Sequence, residues 1–158
     1  PFYLTWKAKQ YGVETRFIEL AGEVNTNMPE WVIEKAVEGL QKQKKKLSGS
    51  KVLILGMAYK KNVDDLRESP SLELIRLLTD KGAHVKYHDF YIPALHKTRK
   101  YDYDLQSVDL TAGIKTYDLL ILATDHDQYD YGFLQQRSQL IVDTRGKLDH
   151  TLPNVIAA

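Results

Sequence analysis

Three charged segments of this sequence carry side chains of the types that bind phosphate, and each segment follows an apolar run. The segments are MAYKKNVDDLRES (57–69), DHDQYDY (125–131) and TRGKL (144–148). A lysine ammonium acts as a mobile point charge, and an arginine guanidinium presents a planar fork to phosphate oxygens. The candidate anion ligands are Lys60, Lys61, Arg67 and Arg145. A ligand that bears a diphosphate is the natural match.

The positions of these segments predict that they share one site. The apolar runs before them are typical of buried strands, and ligands of open α/β sheets bind where the carboxyl ends of parallel strands meet. A helix that starts at Ser69 would add free backbone donors, and Tyr59 is placed to stack against a base or a sugar. An alternative stays open, in which Lys60 and Arg67 pair with acids of their own loop. Those acids are Asp64, Asp65 and Glu68.

A dinucleotide loop and a metal site are the rival interpretations of these residues. Gly56 is the single glycine between the first strand and its helix, so the G-x-G-x-x-G pattern is missing. Asp89 occupies the place of a ribose-binding acid, but a surface cap on a strand end is the preferred interpretation. The DHD triplet (125–127) has no second cluster to support it, so we predict no metal site. No Ser, His and Asp follow one another around a nucleophile elbow.

Strands that alternate with helices must position these loops. The apolar runs predict strands over 51–56, 84–89, 117–124 and 139–144. Ser69 as N-cap, Pro70 at the first helical position and Gly82 as the stop predict a helix over 70–81. Residues 90–113 and 126–138 read as short helices and loops. This order predicts an α/β fold with a Rossmann-like, parallel, doubly wound sheet.

A helical segment precedes the sheet. The apolar spacing predicts one helix up to Gly12 and another over 17–47, which Pro29 should bend or restart with Asn27 as N-cap. The lysine run KQKKK (42–46) is interpreted as a solvated helix end in preference to a phosphate patch. The sequence therefore divides into a helical part, residues 1–48, and an α/β part, residues 49–158.

Composition narrows the class of protein. The 158 residues are 43% apolar and 27% charged, as in globular domains, and the net charge of +1 gives no reason to expect nucleic acid. No apolar run approaches the roughly 20 residues that span a bilayer, and the start lacks a leader pattern. The absence of cysteine excludes disulfides and a thiol nucleophile within these residues. We expect a cytoplasmic protein, cut from a longer one because it begins with Pro.

LGMAYKKNVDDLRESPS, ATDHDQYD and VDTRGKL closely resemble the C-terminal part of the UDP-glucose/GDP-mannose dehydrogenase family. The opening PFYLTWKAKQYGVETRFIELAGEVNTNMPEWV is similar to the branch that oxidises UDP-N-acetylhexosamines, the UDP-N-acetylglucosamine 6-dehydrogenases. The resemblance implies an NAD-binding Rossmann domain, a central helical region that forms a homodimer, and a Rossmann-like domain that binds UDP. It also implies oxidation of the sugar C6 to a carboxylate by two hydride transfers to NAD, through a cysteine nucleophile, in polysaccharide biosynthesis.

The resemblance also assigns roles to residues of this chain. Tyr59 and Lys60 match contacts to the sugar nucleotide, Arg145 matches a further contact to the substrate, and Arg67 matches an arginine that reaches the NAD. The family's cysteine lies before an Asp-Pro pair, and this chain begins at the matching proline, Pro1. The resemblance therefore implies that the catalytic residues and the NAD domain lie outside this fragment, which alone would be inactive.

Three hypotheses remain at this point. The first is the UDP-binding part of an NAD-dependent UDP-N-acetylhexosamine 6-dehydrogenase. The second is a stand-alone nucleotide-binding or regulatory module with Rossmann topology and no catalysis. The third is an assembly domain whose charged loop is only solvated. Ligand binding separates the third from the others, and an NAD loop with a cysteine upstream would exclude the second.

Overall fold

The computed structural model describes residues 2–97, 100–110 and 113–158. The helices are α1 (Phe2–Gln10), α2 (Arg16–Lys42), α3 (Pro70–Asp80) and α4 (Tyr131–Arg137), with a 3-10 turn at Ile114–Thr116. The strands are β1 (Lys51–Leu55), β2 (His84–His88), β3 (Ala94–Leu95), β4 (Leu105–Gln106), β5 (Leu119–Leu122), β6 (Ile141–Asp143) and β7 (Val155–Ala157). Of the predicted short helices and loops in 90–113, residues 98, 99, 111 and 112 lie outside the described residues, and the described remainder pairs β3 with β4.

Five strands form one parallel sheet in the order β2-β1-β5-β6-β7. Every neighbouring pair in it is parallel, which confirms the predicted α/β class and sheet type. The chain lays β2 on one side of β1 and then returns to place β5 on the other side. The strand order therefore reverses between β1 and β5, and ligands of such sheets bind outside the carboxyl ends at this switch point.

Side chains of the central strands alternate between two covered faces. Val52 and Ile54 of β1 pack with α2 and α3 on one face, whereas Leu53 and Leu55 pack on the other face with residues of α4 and the 3-10 turn. All four side chains are fully buried. Burial on both faces explains why these strands appear in the sequence as unbroken apolar runs.

Helix α2 runs through Pro29 without interruption, so the predicted restart with Asn27 as N-cap is wrong. Proline removes one backbone hydrogen bond, but the turns after it are held by packing against the sheet face. The residues that pack there are Val32, Ile33, Ala36 and Leu40. The C-terminal half of α2 therefore shares the hydrophobic core of the α/β part.

In the lysine run 42–46, Lys42, Lys44 and Lys46 are exposed, as predicted for a solvated helix end, whereas Lys45 is bound. Helix α2 stops at Lys42, and the Lys45 ammonium lies 2.6 Å from a carboxylate oxygen of Asp118 and 2.8 Å from Oε1 of Gln139. Asp118 also accepts the backbone N–H of Lys51 at the start of β1. Lys45 therefore ties the end of α2 to the sheet.

A wide apolar surface covers α1 and the N-terminal half of α2. Its side chains are each at least 39% exposed: Phe2, Tyr3, Leu4, Trp6, Tyr11, Val13, Phe17, Leu20, Val24, Met28 and Trp31. Single exposed apolar residues are normal on a protein surface, whereas these all fall within residues 2–31. None of the helices in the described part of the chain is long and apolar enough to cross a membrane.

Candidate functional site

The three charged segments meet at the carboxyl edge of the sheet. The loops 56–69 and 123–130 follow β1 and β5, and the loop 144–150 follows β6. Since β1 and β5 are neighbours, the first two loops flank the switch point directly. We call the carboxyl edge of the sheet at this switch point the β1–β5 crevice, after the place where ligands of such sheets bind.

Gly56 is required because the two loops approach each other closely. Its φ is +87°, and a Cβ at this position would lie 2.5 Å from Thr124 Cβ and 2.6 Å from the Thr124 carbonyl oxygen. The Thr124 hydroxyl in turn donates to the Ala58 carbonyl at 2.6 Å. The single glycine of this loop therefore serves packing between loops, which explains why it stands without the other glycines of a dinucleotide loop.

Asp89, which follows β2, holds the loop after β1 in place through hydrogen bonds to its backbone. Its Oδ2 atom accepts the backbone N–H groups of Met57 and Ala58 at 2.6 and 3.0 Å, and its Oδ1 atom accepts those of Tyr91 and Ile92 at 2.7 and 3.1 Å. The residue is only 4% exposed, so the predicted surface cap on a strand end is corrected to a buried carboxylate. With these bonds made, Asp89 is a scaffold residue instead of a ribose ligand.

Burial alone raises the pKa of the Asp89 carboxyl. Hydrogen bonds from His126 and from the surrounding backbone N–H groups outweigh that effect and hold the pKa below its ordinary value. Asp89 is therefore ionised at neutral pH.

His126 joins the two loops that flank the crevice. The side chain is fully buried, with Nε2 3.0 Å from Asp89 Oδ2 and Nδ1 2.9 Å from the backbone nitrogen of Asn62. The Asn62 side-chain amide donates to the Asp127 carboxylate at 2.5 Å, and Asn62 Oδ1 accepts the Asp127 N–H at 3.1 Å. The DHD triplet is therefore a structural junction. In the described ranges, no group of three or more His, Cys, Asp or Glu side chains could hold a metal ion.

The two lysines of the loop differ in their surroundings. Lys61 lies 3.1 Å from the Asp127 carboxylate, so this cation is engaged in joining the loops. Lys60 lies over the ring of Tyr59, at 5.5 Å from its centroid. No carboxylate among the described residues forms an ion pair with Lys60. Tyr59 is 46% exposed, which leaves its ring accessible. Lys60 is thus the lysine with charge available for a ligand.

Arg67 pairs with its own loop. Its Nε and Nη2 atoms donate to the two oxygens of Asp65 at 3.0 Å each, while the arginine side chain is 89% exposed. These hydrogen bonds hold the pKa of Asp65 below its usual range. For Arg67 the structure therefore shows the alternative interpretation, in which this arginine pairs with an acid of its own loop. An exposed pair of this kind exchanges partners at little cost.

Arg145 enters the site from the loop after β6. Its Nε donates to the Ala123 carbonyl at 2.6 Å, which brings the guanidinium to the end of β5. The buried carboxylate of Asp143 fixes this loop by accepting the backbone N–H groups of Arg145, Lys147 and Leu148 and by contacting His150 Nε2 at 3.0 Å. Asp143 and Asp89 therefore play equivalent parts at the ends of two strands.

The structure brings Tyr59, Lys60 and Lys61 together beside the β1–β5 crevice, with Arg145 on its β5 side. Sequence reasoning missed Asn62, His126 and the two buried aspartates as organisers of the loops. The visible signal was the repeated placement of Asp at or just after a strand end, with a His elsewhere in the loops.

A cavity of the described part of the chain lies elsewhere. It encloses about 560 Å³ at the opposite edge, beside the amino ends of β1 and β2, and its lining includes Lys51, His84 and Lys86. Ligands of open α/β sheets bind at the carboxyl edge, so we assign the site to the β1–β5 crevice on topological grounds.

The sequence is similar to a known family and to named proteins. The family described as "UDP-glucose/GDP-mannose dehydrogenase family, UDP binding domain" matches residues 53–150. The UDP-N-acetyl-D-mannosamine dehydrogenase of Methanocaldococcus jannaschii is 32% identical over 160 residues, which cover 96% of this chain and 34% of the relative. The UDP-N-acetyl-D-glucosamine 6-dehydrogenase of Pseudomonas aeruginosa is 27% identical over 152 residues, again 96% of this chain and 34% of the relative.

Solved structures share the fold. The NDP-N-acetyl-D-galactosaminuronic acid dehydrogenase of Methanosarcina mazei superposes with a TM-score of 0.72 at 26% identity, over 88% of this chain and 30% of that one. The UDP-D-ManNAc dehydrogenase of Pyrococcus horikoshii superposes with a TM-score of 0.74 at 22% identity, over 95% of this chain and 34% of that one, which supports the fold alone. The chain thus spans about a third of the length of these proteins. It belongs to the UDP-glucose/GDP-mannose dehydrogenase family and corresponds to its C-terminal, UDP-binding part.

Proposed function

We propose that this chain binds the UDP moiety of a nucleotide sugar in the β1–β5 crevice, as part of an NAD-dependent dehydrogenase. The observation that carries the proposal is the position of Lys60, a cation that forms no ion pair with a carboxylate of the described residues, at the switch point of a UDP-binding domain. A diphosphate is the ligand class that a lysine and an arginine converging on one crevice would favour.

Three residues take the substrate in this proposal. Lys60 neutralises the diphosphate and Tyr59 offers an exposed ring to the base or the sugar. Arg145 adds its guanidinium from the β6 loop, where the bond from its Nε to Ala123 already fixes its direction. The rigid mounting of the loops on Asp89 and Asp143 reduces the ordering that ligand binding would otherwise require.

Arg67 serves a different ligand in this proposal. Its side chain is 89% exposed and its pair with Asp65 is open to solvent, so it can turn outward at little cost. We assign it to the NAD, which would be held mainly by another domain of the enzyme.

The proposed reaction oxidises C6 of a UDP-N-acetylhexosamine to the uronate by two hydride transfers to NAD. The names of the relatives from M. jannaschii and P. aeruginosa support a UDP-N-acetylhexosamine, and the oxidoreductase class is common to them. The chain contains no cysteine, so the thiol of the proposed mechanism would come from outside these 158 residues, and the fragment by itself is proposed to be inactive. We place the enzyme in the cytoplasm and in polysaccharide biosynthesis.

The helical part is proposed to form a homodimer or a higher homo-oligomer. Residues 1–48 would be the end of a central dimerisation region, and residues 49–158 the UDP-binding domain. The wide apolar surface on α1 and the first half of α2 supports a partner there, because water contact with so many large side chains is unfavourable.

Calorimetric titration with UDP, GDP and a UDP-N-acetylhexosamine tests the proposal. We expect UDP and the UDP-sugar to bind, and GDP to bind at least tenfold more weakly. Equal affinity for UDP and GDP would contradict a uridine site, and no binding of any of the three would leave the charged loop as a solvated surface. A regulatory module without catalysis would also bind UDP. NADH formation from the UDP-sugar, by a protein that joins this chain to an NAD domain, separates the two.

A further inference from the structure

One buried carboxylate brackets the part of the loop that carries Tyr59 and Lys60. Asp89 Oδ2 accepts the N–H groups of Met57 and Ala58 directly, on one side of these two residues. On the other side, the same oxygen lies 3.0 Å from His126 Nε2, and His126 Nδ1 lies 2.9 Å from the Asn62 nitrogen. Asp89 Oδ2 therefore holds one end of this stretch directly and the other end through His126.

The positions of the protons on His126 follow from its two hydrogen-bond partners, the Asp89 carboxylate and the Asn62 backbone N–H. Asp89 is ionised and can only accept, so His126 Nε2 must carry a proton that it donates to the carboxylate. The Asn62 backbone N–H can only donate, so His126 Nδ1 must present its lone pair. His126 is therefore a neutral imidazole in the Nε2–H tautomer. A proton on Nδ1 would set two N–H groups against each other across 2.9 Å.

We propose that His126 is a positioning residue for the UDP-binding loop: its Nδ1 lone pair holds the Asn62 N–H and thereby fixes Tyr59 and Lys60 at the crevice. The inference rests on the proposed function for its effect on ligand, but its hydrogen bond exists without ligand. Asn62 is suited to the place because its φ of +62° is one that asparagine tolerates better than most residues. Its side chain adds the bonds to Asp127 that keep the backbone in this orientation.

Two substitutions distinguish the hydrogen bond that His126 Nδ1 makes from the one that Nε2 makes. Asparagine places a polar atom near the position of Nδ1, so His126→Asn can keep an acceptor for the Asn62 N–H while it loses the bond to Asp89. Glutamine reaches the position of Nε2, so His126→Gln can keep a donor for Asp89 while it loses the acceptor for Asn62. Both variants remove the ring, and glutamine refills more of its space than asparagine, so packing loss alone would not make His126→Gln the weaker binder. His84→Asn and His84→Gln, at the exposed start of β2, are matched controls remote from the crevice.

The ligand-free measurement is the scalar coupling across the hydrogen bond between the Asn62 amide nitrogen and His126 Nδ1, in uniformly ¹⁵N-labelled protein. We expect the coupling in the wild type, together with imidazole ¹⁵N shifts of the Nε2–H tautomer. Absence of the coupling, or shifts of the Nδ1–H tautomer, would overturn the proposal whether or not UDP binds.

The second measurement is the dissociation constant for UDP. One lost hydrogen bond that positions the loop should weaken binding by about tenfold in His126→Gln and by less than about twofold in His126→Asn. Equal loss in both variants would reduce His126 to a packing residue, and loss in His126→Asn alone would assign the effect to the Asp89 bond; either result overturns the proposal. Failure of the wild type to bind UDP would instead refute the proposed function, and the coupling would still decide the role of His126.

Discussion

Replacing Asp89 with asparagine should destabilise the protein more than the same replacement at Asp143. Both carboxylates are buried at strand ends and both contact a histidine. At Asp89 three donors reach Oδ2 and two reach Oδ1. An amide has one oxygen, so in either orientation its NH₂ group faces at least two donors. At Asp143 three donors reach Oδ2 and one, the Arg145 N–H, reaches Oδ1, so only one donor is left facing the NH₂ group.

The magnitude follows from the number of donors left without an acceptor. Each buried, unsatisfied donor costs about 1–3 kcal/mol, so Asp89→Asn should lower the free energy of unfolding by about 4 kcal/mol and Asp143→Asn by about 2 kcal/mol. For a domain of this size each kcal/mol lowers the melting temperature by roughly 2–4 °C. Urea unfolding followed by circular dichroism gives both values. Equal destabilisation by the two variants, or a loss below about 1 kcal/mol for Asp89→Asn, would refute this counting of donors.

Further predictions concern the loop, helix α3 and the ligand. Gly56→Ala should cost about 3 kcal/mol in urea unfolding, since its Cβ would meet Thr124 at 2.5 Å with φ at +87°; a cost below about 1 kcal/mol would contradict the close approach of the loops. A hydrogen bond from Arg76, one turn along α3, lowers the pKa of Glu73 from 4.5 to about 2. The contribution of ionised Glu73 to the stability of the fold is therefore present above pH 4.5 and is lost as the pH falls towards 2. Glu73→Gln should therefore flatten the fall in stability over this range, and parallel acid limbs for the two proteins would refute this. Lys60→Ala should weaken UDP binding by about tenfold in calorimetry, and Lys61→Ala, whose ammonium pairs with another loop, by about twofold or less; the reverse order would contradict the assignment of the free cation.

The central strands of the sheet were predictable because they consist of consecutive apolar residues, which are buried on both faces. Runs such as 52–55 and 119–122 are apolar on both faces. Ser69 with Pro70 marks the start of α3, where the Ser69 hydroxyl accepts the Ser71 N–H. Strand β7 was not predicted, because three residues within PNVIAA carry too little pattern. The passage of α2 through Pro29 depends on packing against the sheet, which local propensity does not contain.

The candidate site was predictable in its location and less so in its bonding. Parallel strands ending in charged loops indicate one edge, and the loops do meet there. Which lysine of the loop forms an ion pair was not visible, since Lys61 pairs with a residue 66 positions away and Lys60 pairs with no described carboxylate. The role of Asp89 in holding the loop could not be predicted for the same reason, because its partner His126 lies 37 positions further along the chain. Contacts at such separations are set by the fold, so a single sequence leaves them open.

The central claim is that this domain holds the substrate nucleotide and not the dinucleotide. Thermal unfolding of the chain with UDP, and separately with NAD, tests it most directly. UDP at 100 times its dissociation constant should add about 2.7 kcal/mol of stability. At this chain length that raises the melting temperature by roughly 5–10 °C. We expect this rise with UDP and no change with NAD, whereas a rise with NAD alone would contradict the claim.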